Sequence, residues 1–257
     1  MTRVIAICSG KGGAGKTTVT ANLGARLAQM GKNVVVLDAN LTTPNLGMHF
    51  GMPLYPVTLH DVLKGKASIN QAMYEHDNGL KIIPAGISVR DLRGVDARDL
   101  PNAMLDLLGN ADIVLVDVAA GLGREALSAM EASDELILVA NPEMTSDTDA
   151  LKASKLAGQV GTKVMGVVVN KVRGMRHEMK TEDIRLMLDG LEVLAEIPDD
   201  VEVQKSIAAR TPVIYYSPKS AAAHSVRRLA AWVSGEPFNE ALPIGRRLWK
   251  IFFRRNF

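Results

Sequence analysis

Short runs of consecutive apolar residues recur along the chain, and longer segments with helical spacing of apolar residues separate them. Runs that are apolar at every position, rather than at alternate positions, are typical of parallel strands covered on both faces. Strands are predicted at Val4–Cys8, Val34–Leu37, Leu80–Ile83, Ile113–Val118, Leu136–Ala140, Val164–Val169 and Val193–Ile197. Helices are predicted at Thr17–Met30, Ser146–Val160 and Glu178–Leu188. This alternation predicts an α/β fold with a doubly wound, mostly parallel sheet.

The end of the chain follows a different pattern. Turn-forming residues indicate a linker over residues 236–243, so residues 1–235 are expected to form one domain. At helical spacing, Ile244–Phe257 places apolar and aromatic side chains on one arc and basic side chains opposite, with Arg255 at the apolar edge. Such a helix spans about 21 Å, too short for a bilayer core of about 30 Å. We therefore expect an amphipathic helix that lies in the membrane interface and contacts anionic lipids.

Charge is distributed unevenly along the 257 residues, whose net charge is +2. The last twelve residues hold five cations and no acid, which leaves a net charge of −3 for residues 1–245. A mildly acidic body gives no general support for nucleic-acid binding, so DNA is not expected as a partner. Cys8 is the single cysteine, which excludes an intramolecular disulfide framework. With no signal peptide and no apolar run of membrane-spanning length, we expect a cytoplasmic protein, peripheral on the inner face of the cell membrane.

A glycine-rich loop follows the first predicted strand and opens the first predicted helix. Residues 10–17 read GKGGAGKT and match the pattern G-x-x-x-x-G-K-[ST]. The glycines let backbone N–H groups turn inward around an anion, and the helix N-terminus adds a favourable field. Lys16 would neutralise the β- and γ-phosphates, the Thr17 hydroxyl would ligate Mg²⁺, and the Thr18 hydroxyl could reach the α-phosphate. The predicted nucleotide-binding residues here are Gly10, Lys11, Gly12, Gly13, Ala14, Gly15, Lys16, Thr17 and Thr18.

Lys11 is a second lysine, near the start of this loop. It could simply be solvated beside the phosphates of its own chain. Alternatively, it could reach a nucleotide held by a second subunit, and nucleotide binding would then control association. Composition does not decide between these two interpretations.

Several segments resemble the MinD/ParA family of deviant Walker A P-loop ATPases, and the archaeal type of MinD within it. The loop KGGAGKTT at residues 11–18 carries the family's signature lysine at Lys11. LDANLTTPNLG at residues 37–47 resembles the first switch, and IVLVDVAAG at residues 113–121 resembles the strand, aspartate and second switch. The similarity runs over nearly all of residues 1–235 and extends to the basic tail. Smaller matches lie at residues 141–149 and 197–200.

The resemblance implies an ATP-dependent homodimer that uses ATP and Mg²⁺. Lys11 would act on the partner's nucleotide, Asp117 would hold Mg²⁺ through water, and Asp38 would lie near Mg²⁺ and the attacking water. Both aspartates end apolar strands, at the edge where α/β sheets bind ligands. Asn170 would read the adenine edge, and the backbone of Pro198, Asp199 and Asp200 would pack on the base. The expected catalytic set is Lys11, Lys16, Asp38, Asn40 and Asp117, and the expected metal set is Thr17, Asp38 and Asp117.

Two residues depart from the family pattern. The family usually has an acid at the position of Asn40, where it helps to activate or place the hydrolytic water. An asparagine has nearly the same shape but cannot accept a proton, so hydrolysis is expected to be slow or blocked while nucleotide binding is retained. Ala119 stands where the second switch usually has proline, which makes that switch less rigid.

These observations predict a MinD-like ATPase: a nucleotide-controlled dimer that binds the membrane surface, positions partners and answers to an unidentified regulatory protein. One alternative is an ATP-binding scaffold with little hydrolysis, because of Asn40. Others are a ParA-like DNA-partition ATPase and an FlhG-like regulator of flagellar number. Iron–sulfur carriers of the same fold need more cysteines than Cys8, and the tyrosine-kinase relatives need a C-terminal tyrosine cluster that this chain lacks.

Overall fold

An eight-stranded sheet forms the centre of the part of the chain that the computed structural model describes, residues 1–52 and 54–238. The strand order is β3-β4-β2-β5-β1-β6-β7-β8, and all neighbours pair in parallel except β3 and β4. The strands are β1 (Arg3–Cys8), β2 (Val34–Ala39), β3 (Tyr74–Glu75), β4 (Lys81–Ile83), β5 (Ile113–Val118), β6 (Glu135–Ala140), β7 (Lys163–Val172) and β8 (Val193–Pro198). Every strand predicted from an apolar run is present.

Helices cover both faces of this sheet. Those of the described chain are α1 (Lys16–Gln29), α2 (Leu59–Leu63), α3 (Leu100–Met104), α4 (Arg124–Glu131), α5 (Met144–Gln159), α6 (Thr181–Met187), α7 (Val201–Ala208), α8 (Val213–Tyr216) and α9 (Ala221–Ser234). Buried side chains of α1, α8 and α9 join the core on one face, and those of α2 to α6 join the core on the other. The predicted doubly wound α/β fold is therefore confirmed.

The central strands explain why their sequences are apolar throughout. All six residues of β2 and all six of β5 are buried, because each strand has a paired neighbour on both sides and helices above and below. In the β2–β5 pair, Asp38 lies directly opposite Asp117. The two carboxylates that the sequence places at strand ends are therefore brought side by side at the carboxyl edge of the sheet.

Two local features differ from the pattern-based expectations. The antiparallel edge strand β3 has no apolar run and is only two residues long, and it pairs with β4 in a short hairpin. Helix α6 starts three residues later than predicted, at Thr181, because the Glu178 carboxylate closes the preceding turn. It accepts backbone N–H bonds from Arg173 at 3.0 Å, Gly174 at 2.7 Å and Met175 at 3.2 Å. A carboxylate that satisfies backbone groups ahead of a helix favours a turn over an early helical start.

The last described segment packs against the domain. Helix α9 ends at Gly235, whose φ of 70° is the left-handed cap conformation that glycine accepts most easily. Glu236 pairs with Lys32 at 2.7 Å, and the ring of Phe238 meets that of His224 at 5.5 Å. The rest of the predicted linker and the predicted helix Ile244–Phe257 lie outside the described residues. Within the described residues, no helix is both long enough and apolar enough to cross a bilayer.

Helix α1 packs closely on the sheet at Gly24, which gives a test of the packing. A Cβ at this position would overlap Val36 Cγ1 and meet Leu80 and Leu115 at about 3.5 Å. We expect the overlap in Gly24→Ala to lower the free energy of unfolding by about 1–3 kcal/mol. The higher helix propensity of alanine offsets up to about 1 kcal/mol of this loss. Urea unfolding of the nucleotide-free protein measures this change.

Gly158 in helix α5 is the matched control, since a Cβ there has open space around it. Gly158→Ala should stabilise the protein by up to about 1 kcal/mol, through helix propensity alone. If both alanine variants shift the urea midpoint in the same direction, the close approach at Gly24 does not govern stability.

Candidate functional site

The glycine-rich loop between β1 and α1 is held from two sides. Gly15, with φ 91°, is the residue before α1, and a Cβ on it would overlap the Asn170 amide. The Asn170 Nδ2 donates to the Ala14 carbonyl at 2.7 Å. On the other side, a Cβ on Gly10 would overlap the backbone of Asp149 in α5. Glycine is thus required at both positions by close approach, and the loop is fixed in shape without any ligand contact.

Lys16, Thr17 and Asp117 form a buried polar cluster beneath this loop. Lys16 Nζ lies 3.2 Å from Asp117 Oδ1, and the Thr17 hydroxyl donates to Asp117 Oδ2 at 2.6 Å. Lys16 is 6% exposed and Asp117 is fully buried. Burying these charges is tolerated because they are paired and hydrogen-bonded. The ammonium and hydroxyl that would serve phosphate and metal are therefore held by a carboxylate that can exchange them.

Asp38, the other carboxylate at this edge, organises the loop that follows β2. Its Oδ1 accepts the N–H of Asn40 at 3.1 Å, and its Oδ2 accepts those of Asn45 at 3.1 Å and Leu46 at 3.0 Å. Burial first, and the negative charge of Asp117 second, raise the pKa of Asp38 to about 7. The hydrogen bonds from Leu46 and Asn40 and the positive charge of Lys16 oppose that rise. Asp38 is thus a carboxylate near its titration point that holds the first switch in shape.

Asn40 closes the same loop through both halves of its amide. Its Nδ2 donates to the Thr43 carbonyl at 2.6 Å, and its Oδ1 accepts the Thr43 N–H at 3.2 Å and hydroxyl at 3.1 Å. An aspartate could accept the last two bonds but could not donate to the carbonyl. The departure from the family pattern is therefore matched to the local geometry of this loop.

A cavity of about 830 Å³ opens above the loop and runs along the carboxyl edge of the sheet. Its volume falls within the range of about 300–1,000 Å³ typical of small-ligand sites. Backbone and side chains of the phosphate loop form one end, and the β7 and β8 ends together with α7 and α8 form the other. The predicted site residues that line it are Gly12, Gly13, Ala14, Gly15, Lys16, Thr17, Thr18, Asn40, Asn170, Pro198, Asp199 and Asp200.

Residues 5–213 match the model of the CobQ/CobB/MinD/ParA nucleotide-binding domain. The chain belongs to this family. It is 39% identical over 242 residues to an ATP-binding protein of Methanocaldococcus jannaschii, covering 94% of this chain and 91% of that protein. It is 30% identical over 245 residues to the antiactivator FleN of Pseudomonas aeruginosa, covering 91% and 87%. The structure of septum site-determining protein MinD with Mg-ADP from Pyrococcus horikoshii matches with a TM-score of 0.88 at 36% identity, covering 91% and 96%.

Membership in the MinD/ParA nucleotide-binding family confirms the prediction from the loop and switch motifs. The wall of the cavity far from the phosphate loop carries charged side chains that are already paired within the chain. Arg173 pairs with Asp199 at 2.7 Å along this wall. Asp200 accepts the N–H of Glu202 at 2.9 Å and that of Ala222 at 3.1 Å, so it caps the starts of both α7 and α9. Its side chain thus has a structural role that the family motif did not reveal.

Four of the expected site residues do not line the cavity: Gly10, Lys11, Asp38 and Asp117. The two aspartates are buried and hydrogen-bond to residues of the adjoining segments. Lys11 projects from the loop with about half of its side chain exposed, and its Nζ lies 4.0 Å from Glu143 Oε2. The two lysines of the loop therefore differ in position: Lys16 lies inside the cavity and Lys11 lies outside it.

Glu125 and Lys171 are site residues that the sequence patterns did not single out. Glu125, in the first turn of α4, contacts the loop after β2, and Lys171 Nζ donates to the Gly13 carbonyl at 2.8 Å. An acid in the first turn of a helix is ordinary and carries no mark of a second role. Lys171 has φ 61°, which no sequence pattern predicts for a lysine. Among the described residues, no three His, Cys, Asp or Glu side chains cluster as a metal site, so oxygen ligands from a bound phosphate would have to complete one.

Proposed function

We propose that this protein is an ATPase that binds ATP with Mg²⁺, dimerises in the ATP state and then binds the inner surface of the cell membrane, where it positions partners. The observation that carries the proposal is the paired arrangement of two lysines, Lys16 buried inside the phosphate cavity and Lys11 exposed at its rim. Family membership supports nucleotide binding. The MinD structure with Mg-ADP supports the choice of cofactors.

The residues present fit a magnesium nucleotide. The Thr17 hydroxyl and the Asp117 carboxylate are hard oxygen ligands, 2.6 Å apart, of the kind that Mg²⁺ prefers. Held by these two residues, Mg²⁺ would supply positive charge that offsets the negative charge developing on the phosphates. Lys16 would exchange Asp117 for phosphate oxygens, and the inward N–H groups of residues 12–15 would hold the phosphate chain. Asn40, at the cavity wall, would orient the attacking water by hydrogen bonding, without taking its proton.

The outward position of Lys11 supports a role in a dimer. A lysine that is half exposed and 4.0 Å from Glu143 gains little from that pair in its own chain. Against the phosphates of a nucleotide in a facing subunit, the same ammonium would be desolvated and would form charge-assisted hydrogen bonds. ATP would then stabilise the dimer, because each nucleotide is bound by groups from both chains.

The tail, residues 244–257, supports reversible membrane binding. Five cations contribute at most about 5 kcal/mol of attraction to an anionic surface, less in salt. Apolar burial adds to this, but the ordering of the helix opposes it. One tail would bind weakly and two tails on one dimer would bind far better, through effective concentration. ATP would control membrane binding without acting on the tail itself.

A second candidate function follows from Asn40: an ATP-binding switch that turns over little. Both halves of the Asn40 amide are engaged with Thr43, and neither half can accept a proton. With this function, the protein would act mainly through its ATP-bound dimer, and slow hydrolysis would set how long that dimer lasts.

Lys11→Ala tests the dimer. We expect this variant to bind ATP within about threefold of the wild type but to stay monomeric with ATP, because only the facing nucleotide loses a partner. Lys16→Ala should lose about 10- to 100-fold in ATP affinity, the usual value of a buried charged hydrogen bond, and dimerise poorly for that reason. Calorimetry measures binding and light scattering measures dimerisation. Lys66→Ala removes an exposed cation elsewhere and serves as control; ATP-dependent dimers of Lys11→Ala would contradict the role in trans.

Asn40→Asp tests the hydrolysis step. Restoring an acid should raise ATP turnover by about tenfold or more, since positioned general bases contribute about 10²–10⁴. Phosphate release under saturating ATP gives the rate. Asn40→Ala also loses the bond to the Thr43 carbonyl, together with the two bonds that an aspartate could keep, and it adds no acid, so it should not be faster than the wild type. Equal rates for all three proteins would mean that residue 40 does not limit turnover.

Truncation after Glu240 tests the membrane contact. The truncated protein and Phe252→Glu should both fail to sediment with phosphatidylglycerol-containing vesicles in ATP, while their ATP-dependent dimers persist. Phe252→Leu keeps an apolar side chain and should bind as the wild type does. If the truncated protein sediments with vesicles as the wild type does, the membrane contact lies outside the tail. If the wild type does not sediment either, the protein has no such contact.

A further inference from the structure

Glu125 links the two switch loops: it lies in the first turn of α4, the helix that follows the second switch, and its side chain contacts the first switch. Its Oε2 accepts the backbone N–H of Leu41 at 3.0 Å and that of Thr42 at 3.4 Å, and its Oε1 accepts the hydroxyl of Thr42. Leu41 is only 4% exposed, and within the described residues no other acceptor serves these two N–H groups. One carboxylate on α4 therefore satisfies three donors of the loop that carries Asn40.

The second switch is tied at its other end to the phosphate loop. The N–H of Gly121 donates to the Ser9 carbonyl at 3.2 Å, just before the glycine-rich segment begins. Asp117, at the root of the second switch, holds Lys16 and Thr17. A continuous chain of contacts thus runs from the phosphate loop through the second switch and Glu125 to the first switch.

We propose that Glu125 is a positioning residue that couples the first switch to the second, so that both loops change together when the phosphate site is filled. This inference rests on the proposed function. Phosphate that claims Lys16 and Thr17 would free Asp117 from both, and the end of β5 with the following loop would adjust. Because α4 begins at Arg124, Glu125 would carry that adjustment to Leu41 and Thr42. Glu125 does not line the cavity, so it touches no reacting atom.

Both carboxylate oxygens of Glu125 take part in the contact. A carboxylate accepts at both oxygens, and the N-terminal turn of α4 favours its negative charge. Because the Thr42 hydroxyl can also accept, a glutamine could keep all three contacts: its oxygen would accept both N–H groups and its NH₂ would donate to the hydroxyl. Glu125→Ala, which removes both acceptor oxygens, is therefore the test, and Glu125→Gln is its conservative control. Thr42→Val, matched by Thr42→Ser, which keeps the hydroxyl, tests the contact from the other loop.

Hydrogen exchange measured with and without Mg-ATP is the deciding experiment. In the wild type, nucleotide should change exchange in residues 40–46 and in residues 118–125 together. In Glu125→Ala, exchange at Leu41 and Thr42 should rise about tenfold or more before any nucleotide is added, because both N–H groups lose their acceptor. Nucleotide should then protect only residues 118–125. Glu125→Gln should stay close to the wild type. Glu131→Gln, at the exposed end of α4, should behave as the wild type.

Kinetics separate positioning from general damage to the fold. Glu125→Ala and Thr42→Val should lower kcat by about fivefold or more while KM and ADP affinity stay within about twofold, because binding groups are untouched. Glu125→Gln and Thr42→Ser should keep wild-type kcat. Joint protection of both loops in Glu125→Ala would overturn the coupling even if ATP binds normally. An unchanged exchange rate at Leu41 and Thr42 in nucleotide-free Glu125→Ala would overturn the contact itself. If the wild type does not bind ATP, the proposed function fails.

Discussion

The buried Asp117 is the interaction on which the site depends. A fully buried carboxylate is tolerable only when cations and donors surround it, and here Lys16 and Thr17 supply both. The same two groups are the ones that a phosphate chain needs. The sheet puts Asp117 at the end of β5, and the packing of α1 on β2 and β5 brings the start of α1 over it. Stability of the core and readiness of the site thus rest on one polar cluster.

Two aspartates in neighbouring strands carry out different tasks because their partners differ. Asp117 pairs with an ammonium and a hydroxyl, whereas Asp38 accepts hydrogen bonds from backbone N–H groups and lies beside the negative charge of Asp117. Burial and that charge raise the pKa of Asp38 to about 7, although the charge of Lys16 opposes the rise. A cation that entered beside Asp38 would favour its ionised form. In the proposed function, order in the loop after β2 would then depend on occupancy of the phosphate site.

Much of this architecture could be predicted from the sequence, because it depends on local patterns. The run Ile113–Val118 gives β5 with both ends correct, since a central strand is apolar at every position. The motif at residues 10–17 predicts a loop between a strand and a helix, and the structure has it between β1 and α1. Contacts between distant segments could not be predicted in this way. The double capping by Asp200 and the contact of Glu125 with Leu41 and Thr42 depend on tertiary placement, and their residue types are common in those local settings. The edge strand β3 is missed for a different reason, because its two residues carry no apolar run.

Asn40 connects the local geometry to the timing of the proposed switch. Its amide donates to the Thr43 carbonyl and accepts from the same residue, so the loop is closed by a residue that cannot serve as a base. An acid at this position would gain proton affinity but would place a carboxylate against a carbonyl oxygen at a separation of 2.6 Å. At position 40, asparagine thus favours an ordered loop, whereas an acid would favour fast activation of water. In the proposed function, a slower cycle would lengthen the life of the ATP-bound dimer, and a dimer with two weakly binding membrane tails would benefit most from that time.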